Sequence, residues 1–166
     1  TNEYGLSMEC EAPKCSAPNL GNVMYEYCNF IHTNMEDIKK GRVTPNWIDD
    51  LQENEVFVFG SNLAGMHGGG AASIAHRRFG AVMGKGVGMQ GRSYAIPTMQ
   101  GGTETIRPYV DDFIAYAKEH PELTFLVTPI GCGIAGFEPE DIAPLFKEAC
   151  NVSNICLPES FWKELD

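Results

Sequence analysis

The sequence has no run of apolar residues close to the ~18 that a membrane-spanning helix requires. No charged segment followed by an apolar one opens the chain, as a secretory signal would. The first residue is Thr1 rather than Met, which leaves a processed or trimmed start open. The 166 residues, 43% apolar and 20% charged, suit one globular domain with a small appendage. We therefore expect a cytoplasmic protein with no membrane partner.

Acidic residues are missing from one part of an otherwise acidic chain. The sequence has 12 basic and 22 acidic side chains, for a net charge of −10. Residues 1–55 and 103–166 carry net charges of −6 and −8, whereas residues 56–102 contain four cations, no Asp or Glu, and 12 of the 18 glycines. The total charge excludes a general nucleic-acid binder, which needs a basic surface. The 56–102 window predicts a site where backbone amides and cations meet an anion.

The sequence also lacks a pair of cysteines separated by two residues, the usual knuckle of a zinc site. Residues 1–46 are punctuated by proline and glycine and predict an irregular N-terminal extension, with one short strand between residues 22 and 32. Its spacing C-x4-C-x12-C-x3-H allows a zinc site, because three thiolates and an imidazole complete a tetrahedron. Reduced, partly buried cysteines are the alternative. The candidate zinc ligands are Cys10, Cys15, Cys28 and His32.

From residue 47 onward, apolar runs of strand type alternate with segments of helical spacing, and this pattern defines a predicted domain at 47–166. Val56 to Phe59 is a continuous apolar run ending at Gly60, which is typical of a buried parallel strand. The alternation predicts the α/β class, as a three-layer α/β/α sandwich with a mostly parallel central sheet. Strands are predicted at 55–59, 94–97, 124–128 and 154–157, and helices at 47–51, 71–79, 108–118, 139–149 and 161–165.

Two glycine-rich loops follow strands of this predicted sheet, and parallel sheets bind ligands beyond the carboxyl ends of their strands. The first loop, 60–72, contains three consecutive glycines and enters a helix N-terminus, whose dipole adds about half a positive charge. It is not a Walker A loop, because no Gly-Lys-Ser/Thr follows. The second loop, 129–137, also joins a strand to a helix. Together the two loops predict a binding site for a pyrophosphate. The alternative is that the glycines serve only to let the loops pack tightly.

The residues of both loops resemble those of the macrodomains, which bind ADP-ribose. Asn62 and the glycines at 68–70 look like the family's first loop, and residues 133–137 look like its second loop with one aromatic reduced to alanine. Residues 129–133 are most similar to the branch of terminal ADP-ribose glycohydrolases and ADP-ribose-1″-phosphate phosphatases. The resemblance covers about residues 55–157 and does not include residues 1–46.

The macrodomain resemblance implies a cleft for ADP-ribose or a related NAD-derived nucleotide, free or carried on an ADP-ribosylated macromolecule. Asn62 is the expected polar contact to a ribose hydroxyl. The implied ligand-binding residues are Gly60, Ser61, Asn62, Gly68, Gly69, Gly70, Ala71, Gly131, Cys132, Gly133, Ile134, Ala135, Gly136 and Phe137.

Hydrolytic branches of the family place an aspartate at positions that Ala72 and Ala135 occupy here. Acid–base or nucleophilic catalysis needs an ionisable group within reach of its target, and alanine offers none. His67, Lys85 and Cys132 are the other candidates for this chemistry. We expect binding without a cofactor. Two alternatives stay open: a hydrolase that removes ADP-ribosyl groups or the 1″-phosphate of ADP-ribose through these residues, and a protein-interaction module with no small ligand.

Overall fold

The structure, a computed structural model, describes residues 36–166. The chain divides into two units, Thr1–Lys40 and Gly41–Asp166. The candidate zinc ligands and the strand predicted between residues 22 and 32 lie outside the described residues. Val43 and Thr44, which fall in the extension predicted from sequence, belong to the second unit and form its first strand.

The second unit is built on one six-stranded sheet. The strands are β1 (Val43–Thr44), β2 (Glu55–Ser61), β3 (Gly88–Gln90), β4 (Ser93–Pro97), β5 (Thr124–Val127) and β6 (Ile155–Pro158). Their order is β1-β6-β5-β2-β4-β3, and every neighbouring pair is parallel except β3 with β4. The four strands predicted from sequence are confirmed. The edge strands β1 and β3 were not predicted, because two or three residues are too few to show a period.

Helices lie on both faces of this sheet. They are α1 (Gly70–Arg78), α2 (Thr103–Glu119), α3 (Pro139–Ile142), a 3₁₀ helix (Ala143–Asn151) and α4 (Glu159–Leu165). α1 packs on the face that carries Phe57 and Phe59. On the other face, the Phe113 ring of α2 contacts Phe125 of β5 and Phe146 of the 3₁₀ helix. The unit is therefore an α/β fold with a mostly parallel sheet flanked by helices, as the alternating pattern predicts.

The helix predicted at 47–51 is wrong: this segment is irregular. Two of its backbone carbonyls accept hydrogen bonds from side chains elsewhere in the chain. Arg78 donates to the carbonyl of Asp49, and Arg92 donates to that of Leu51. The Asp50 carboxylate accepts the N–H of Leu51, and such local side-chain bonds compete with helix formation. Leu51 is buried as expected, whereas Trp47 is 75% exposed.

Helix α2 begins five residues before Pro108, the residue at which the sequence predicts its start. Proline lacks the N–H that would bond to the carbonyl of Glu104 one turn earlier. Glu104 is exposed, so water can satisfy that carbonyl. The side-chain hydroxyl of Thr105 donates to the carbonyl of Gly102 and strengthens this first turn.

Arg42, just before β1, ties that strand to the end of the 3₁₀ helix. Its guanidinium donates to four backbone carbonyls at 2.8–3.1 Å and lies 5.3 Å from the centre of the Trp162 ring. The Trp162 indole N–H donates in return to the carbonyl of Arg42. One side chain thus satisfies carbonyls that the end of a helix leaves without partners.

Tyr94 of β4 lies in the core between aromatic rings, and burial is the main cause that raises its pKa from 10.0 to about 12, with smaller contributions from Asp112 and Tyr116. Above pH 10 the unfolded chain releases this proton while the folded chain keeps it. The stability that depends on Tyr94 is therefore present below pH 10 and lost as pH rises toward 12. We expect the difference in tyrosinate absorbance between wild type and Tyr94→Phe to titrate with a midpoint near pH 12. A midpoint near 10 would contradict this.

The parallel strands place their carboxyl ends, and so both glycine-rich loops, at the same edge of the sheet. β2 pairs with β4 on one side, with Ser61 opposite Pro97, and with β5 on the other, with Val58 opposite Val127. The chain leaves β2 into the 60–72 loop and β5 into the 129–137 loop. Two segments about 70 residues apart in sequence are therefore neighbours in space.

Candidate functional site

The two glycine-rich loops converge on one cavity of about 250 Å³, called here the loop cavity. It is lined by Gly60, Ser61, Asn62, Met66, Gly69, Gly70, Ala71, Ala72, Thr98, Met99, Thr128, Pro129, Ile130, Gly131, Gly133, Ile134 and Ala135. Most of the ligand-binding residues expected from the sequence are in this set. Gly68, Cys132, Gly136 and Phe137 were expected and do not line it.

Several backbone N–H groups of both loops have no hydrogen-bond acceptor within the described part of the chain. Helix α1 begins at Gly70 with no side chain capping it, and within the described residues the N–H groups of Gly70, Ala71 and Ala72 have no acceptor. The N–H groups of Gly133 and Ile134 in the second loop also lack one there. Donors at a helix N-terminus favour negative charge.

Close packing of two glycines holds the first loop against a neighbouring loop, residues 82–88. A Cβ atom added to Gly65 would clash with the backbone of Gly84 and Lys85, and Gly65 also has a φ of +73°. A Cβ atom on Gly86 would clash with the carbonyls of Asn62 and Leu63. The two loops thus meet backbone to backbone, which only glycine permits.

His67 is 2% exposed and lies behind the loop cavity, not in its lining. Its Nε2 is 2.9 Å from the carbonyl oxygen of Val82 and 3.1 Å from that of Lys85. Carbonyl oxygens only accept, so Nε2 carries the proton and donates to both. The ring also packs edge-on against Phe59. His67 therefore holds the 82–88 loop in place, and the geometry gives it no access to a ligand in the cavity.

Lys85 and Cys132 are also outside the lining of the loop cavity. The Lys85 ammonium donates to the carbonyl of Met89 at 2.8 Å. Burial is the main cause that raises the pKa of the Cys132 thiol, and the charges of Glu138 and Asp141 raise it further. A thiol with a raised pKa is protonated at neutral pH and is a poor nucleophile.

Asn62 lines the cavity, but its side-chain amide already bonds within its own loop. Its Oδ1 accepts the N–H of Met66 at 2.8 Å, and its Nδ2 donates to the Met66 carbonyl at 3.1 Å. An amide can make further bonds beyond these two. Asn62 therefore shapes the turn that begins the first loop and keeps capacity for a ligand.

The four cations of residues 56–102 do not line the loop cavity; among the described residues that do, none is charged. The structure does not bring these cations to the cavity lining where they were expected to meet an anion, and each one donates to an acceptor elsewhere in the described chain. Their acceptors are the Ser73 hydroxyl for Arg77 and backbone carbonyls for the others: Asp49 for Arg78, Met89 for Lys85, and Leu51 and Gln52 for Arg92.

Sequence reasoning missed two threonines in the lining of the loop cavity. Thr98 directly follows β4 and Thr128 directly follows β5. Their hydroxyls donate to the carbonyls of Ser61 and Val58, at 3.5 and 2.7 Å. Their position immediately after a strand is the signal that could have identified them.

A second cavity of about 340 Å³, called here the tryptophan cavity, adjoins the loop cavity and shares four lining residues with it, Gly70, Ala71, Thr128 and Pro129. Its other lining residues are Thr44, Pro45, Asn46, Trp47, Ile48, Phe57, Ile74 and Pro158. This lining is mostly apolar and contains no charged residue among those described. The shared residues place the two cavities side by side.

Within residues 36–166, no helix has the length and apolar content needed to cross a membrane. The same residues bring together no group of three His, Cys, Asp or Glu side chains able to hold a metal ion. No protein-family model, curated protein or solved structure matches this chain.

Proposed function

We propose that this protein binds ADP-ribose or a related NAD-derived nucleotide, with the pyrophosphate between its two glycine-rich loops. The observation that carries the proposal is the convergence of unpartnered N–H groups, from α1 and from the second loop, on one cavity. Amides held by the fold stabilise an anion without the cost of ordering long charged side chains. The macrodomain resemblance of both loops supports the same ligand class.

We propose binding without efficient hydrolysis. Hydrolysis needs a base, acid or nucleophile within hydrogen-bond reach of the reacting atom. The described residues lining the loop cavity include no carboxylate, imidazole, ammonium or thiol. Ala72 and Ala135 do line it, at the positions where hydrolytic relatives of the resembled family would carry an aspartate. We expect purified protein to leave ADP-ribosylated protein and ADP-ribose-1″-phosphate intact, and turnover of either would revive the hydrolase alternative.

Calorimetric titration with ADP-ribose tests the binding proposal, with Gly69→Glu as the disabling variant. Gly69 lines the cavity, has no atom within 4 Å of an added Cβ, and has an ordinary φ of −154°. A glutamate there brings negative charge to the anion site without strain in the fold. We expect wild type to bind with a Kd below about a millimolar, and the variant to lose about tenfold or more in affinity.

Gly68→Glu is the matched control for that variant. Gly68 is the neighbouring glycine, is equally open around an added Cβ, and does not line the cavity. It should weaken ADP-ribose binding less than Gly69→Glu does, since its carboxylate stands outside the cavity lining and is exposed to water. The proposal is wrong if wild type binds neither ADP-ribose nor NAD, which would favour an interaction module. Equal weakening by both substitutions would show an effect of charge alone, and would contradict the assignment of Gly69 to the site.

A further inference from the structure

Two methionines line the loop cavity and have side chains that are open to solvent. Met66 lies in the first loop and is 62% exposed, and Met99 follows strand β4 and is 49% exposed. Strands β2 and β4 are parallel neighbours, so the segments that leave them begin at the same edge of the sheet. The cavity lining therefore contains two thioethers that a small molecule in solution can reach.

The first loop fixes the backbone of Met66 and leaves its side chain exposed. The Met66 N–H donates to Asn62 Oδ1 at 2.8 Å, and Asn62 Nδ2 donates to the Met66 carbonyl at 3.1 Å. The next residue back, Gly65, packs against the backbone of the 82–88 loop. The Met66 thioether is thus presented at the cavity by a turn that is tied on both sides.

Met83 has a similar exposure, but its sulfur has a different environment. It is 46% exposed and does not line the loop cavity. Its Sδ accepts the backbone N–H of His67 at 3.3 Å, whereas the sulfur atoms of Met66 and Met99 accept no hydrogen bond within the described residues. An oxidant reacts with the lone pair of a thioether, and a hydrogen bond to that lone pair makes it less reactive. Met83 is therefore an internal control for the two cavity methionines.

We propose that Met66 and Met99 are modification sites at which a peroxide oxidant weakens nucleotide binding by the loop cavity. The sulfur lone pair attacks one oxygen of hydrogen peroxide, so that an S–O bond forms while the O–O bond breaks. The transferred hydroxyl gives its proton to the departing hydroxide, which leaves as water. The sulfur loses two electrons, the peroxide gains them, and the product is methionine sulfoxide.

A sulfoxide in the lining opposes the binding of an anion. Its oxygen carries a partial negative charge and accepts hydrogen bonds, so it competes with a phosphate for the N–H groups of the cavity. The described lining residues include no cation that would offset this dipole. This effect rests on the proposed function, because the property that is lost is the binding of the nucleotide. We expect oxidation of both residues to weaken ADP-ribose binding by about fivefold or more.

Peptide mass spectrometry after brief exposure to hydrogen peroxide tests the modification sites. We expect sulfoxide to form faster at Met66 and Met99 than at Met83. Saturating ADP-ribose should slow oxidation of the first two by about threefold or more and leave the rate at Met83 unchanged, because the bound molecule covers only the cavity. The assignment is wrong if Met83 is oxidised as fast as the two cavity methionines.

Calorimetric titration with ADP-ribose before and after peroxide treatment tests the effect on binding. Dithiothreitol is added first, because it returns disulfides and sulfenic acids of the six cysteines to thiols but leaves methionine sulfoxide intact. The two methionine sulfoxide reductases, one for each sulfoxide epimer, should then restore the affinity to within about twofold. A loss of affinity that dithiothreitol reverses, or that the reductases do not reverse, would overturn the inference.

The double variant Met66→Leu/Met99→Leu assigns the effect to these two sulfur atoms. Each protein is compared with its own untreated sample, so the result does not depend on the starting affinity. Peroxide should change the affinity of the double variant by less than about twofold, since leucine has no sulfur to oxidise. Met83→Leu keeps both cavity methionines and should lose as much affinity as wild type. An equal loss in the double variant would contradict the proposal.

The inference and the proposed function fail in different ways. If untreated protein binds ADP-ribose and protein with sulfoxide at both positions binds it equally well, the inference is wrong and the proposed function stands. If untreated protein binds neither ADP-ribose nor NAD, the proposed function is wrong and the effect on binding is wrong with it. The relative oxidation rates without nucleotide still decide whether Met66 and Met99 are the reactive sites.

Discussion

Replacing Gly86 with alanine is expected to lower the free energy of unfolding by about 3 kcal/mol, because the new methyl group meets backbone atoms that cannot rotate away. The nearest of these are the carbonyl oxygens of Asn62 and Leu63 at the start of the first loop. Gly86 has no positive φ, so the loss comes from the clash and not from backbone strain. Urea unfolding measures it directly.

The same change is expected to weaken ADP-ribose binding by about tenfold or more, since relieving the clash pushes the first loop away from the 82–88 loop and displaces its N–H groups. Gly68→Ala is the matched control, because its Cβ meets nothing within 4 Å and its φ is also outside the positive range. That variant should unfold within about 1 kcal/mol of wild type. Equal behaviour of the two alanine variants would show that the loops do not depend on the Gly86 contact.

Replacing Arg42 with methionine is expected to cost about 3–4 kcal/mol of stability, since four carbonyls lose a charged donor in a partly buried site. Those carbonyls belong to Ala149, Cys150, Val152 and Ile155, where the 3₁₀ helix turns into β6. Arg42→Lys should recover only part of the loss, because an ammonium is a single point and cannot bridge carbonyls that a planar guanidinium spans.

Arg77→Met is the control for the arginine substitution. Arg77 is exposed and donates to the Ser73 hydroxyl at 3.2 Å, so its removal should change stability by less than about 0.5 kcal/mol. Urea unfolding of the three variants beside wild type gives the comparison. If Arg42→Met unfolds within about 1 kcal/mol of wild type, the carbonyls are satisfied by water and the guanidinium is not required.

The sequence predicts the part of the candidate site that is formed by backbone atoms. Glycines that follow a buried strand and enter a helix are visible in the letters, and both predicted loops meet at the loop cavity. Side-chain roles were less visible. His67 stands beside three glycines in the sequence, yet its ring turns to the carbonyls of Val82 and Lys85. A neighbour along the chain need not face the same space.

The charge pattern shows the same division. Its absence of acids between residues 56 and 102 does leave the loop cavity without a carboxylate from that segment. The four cations of this segment suggest a positively charged loop cavity, but their side chains donate instead to Ser73 and to backbone carbonyls elsewhere in the fold. A segment that contains no Asp or Glu cannot place a carboxylate in the cavity, whatever path its backbone takes. A Lys or Arg side chain is long and flexible, so its direction depends on the tertiary packing around it.

By itself, the sequence determined the α/β class, the four main strands and the two loops, because period, glycine and strand-to-helix order are local properties. The tertiary structure decided which groups share a space. It put Thr98 and Thr128 in the lining of the loop cavity, buried His67 outside that lining, and brought Thr44 from the edge strand to the adjoining cavity. These depend on sheet order and side-chain direction across more than 80 residues, which no short window of sequence contains.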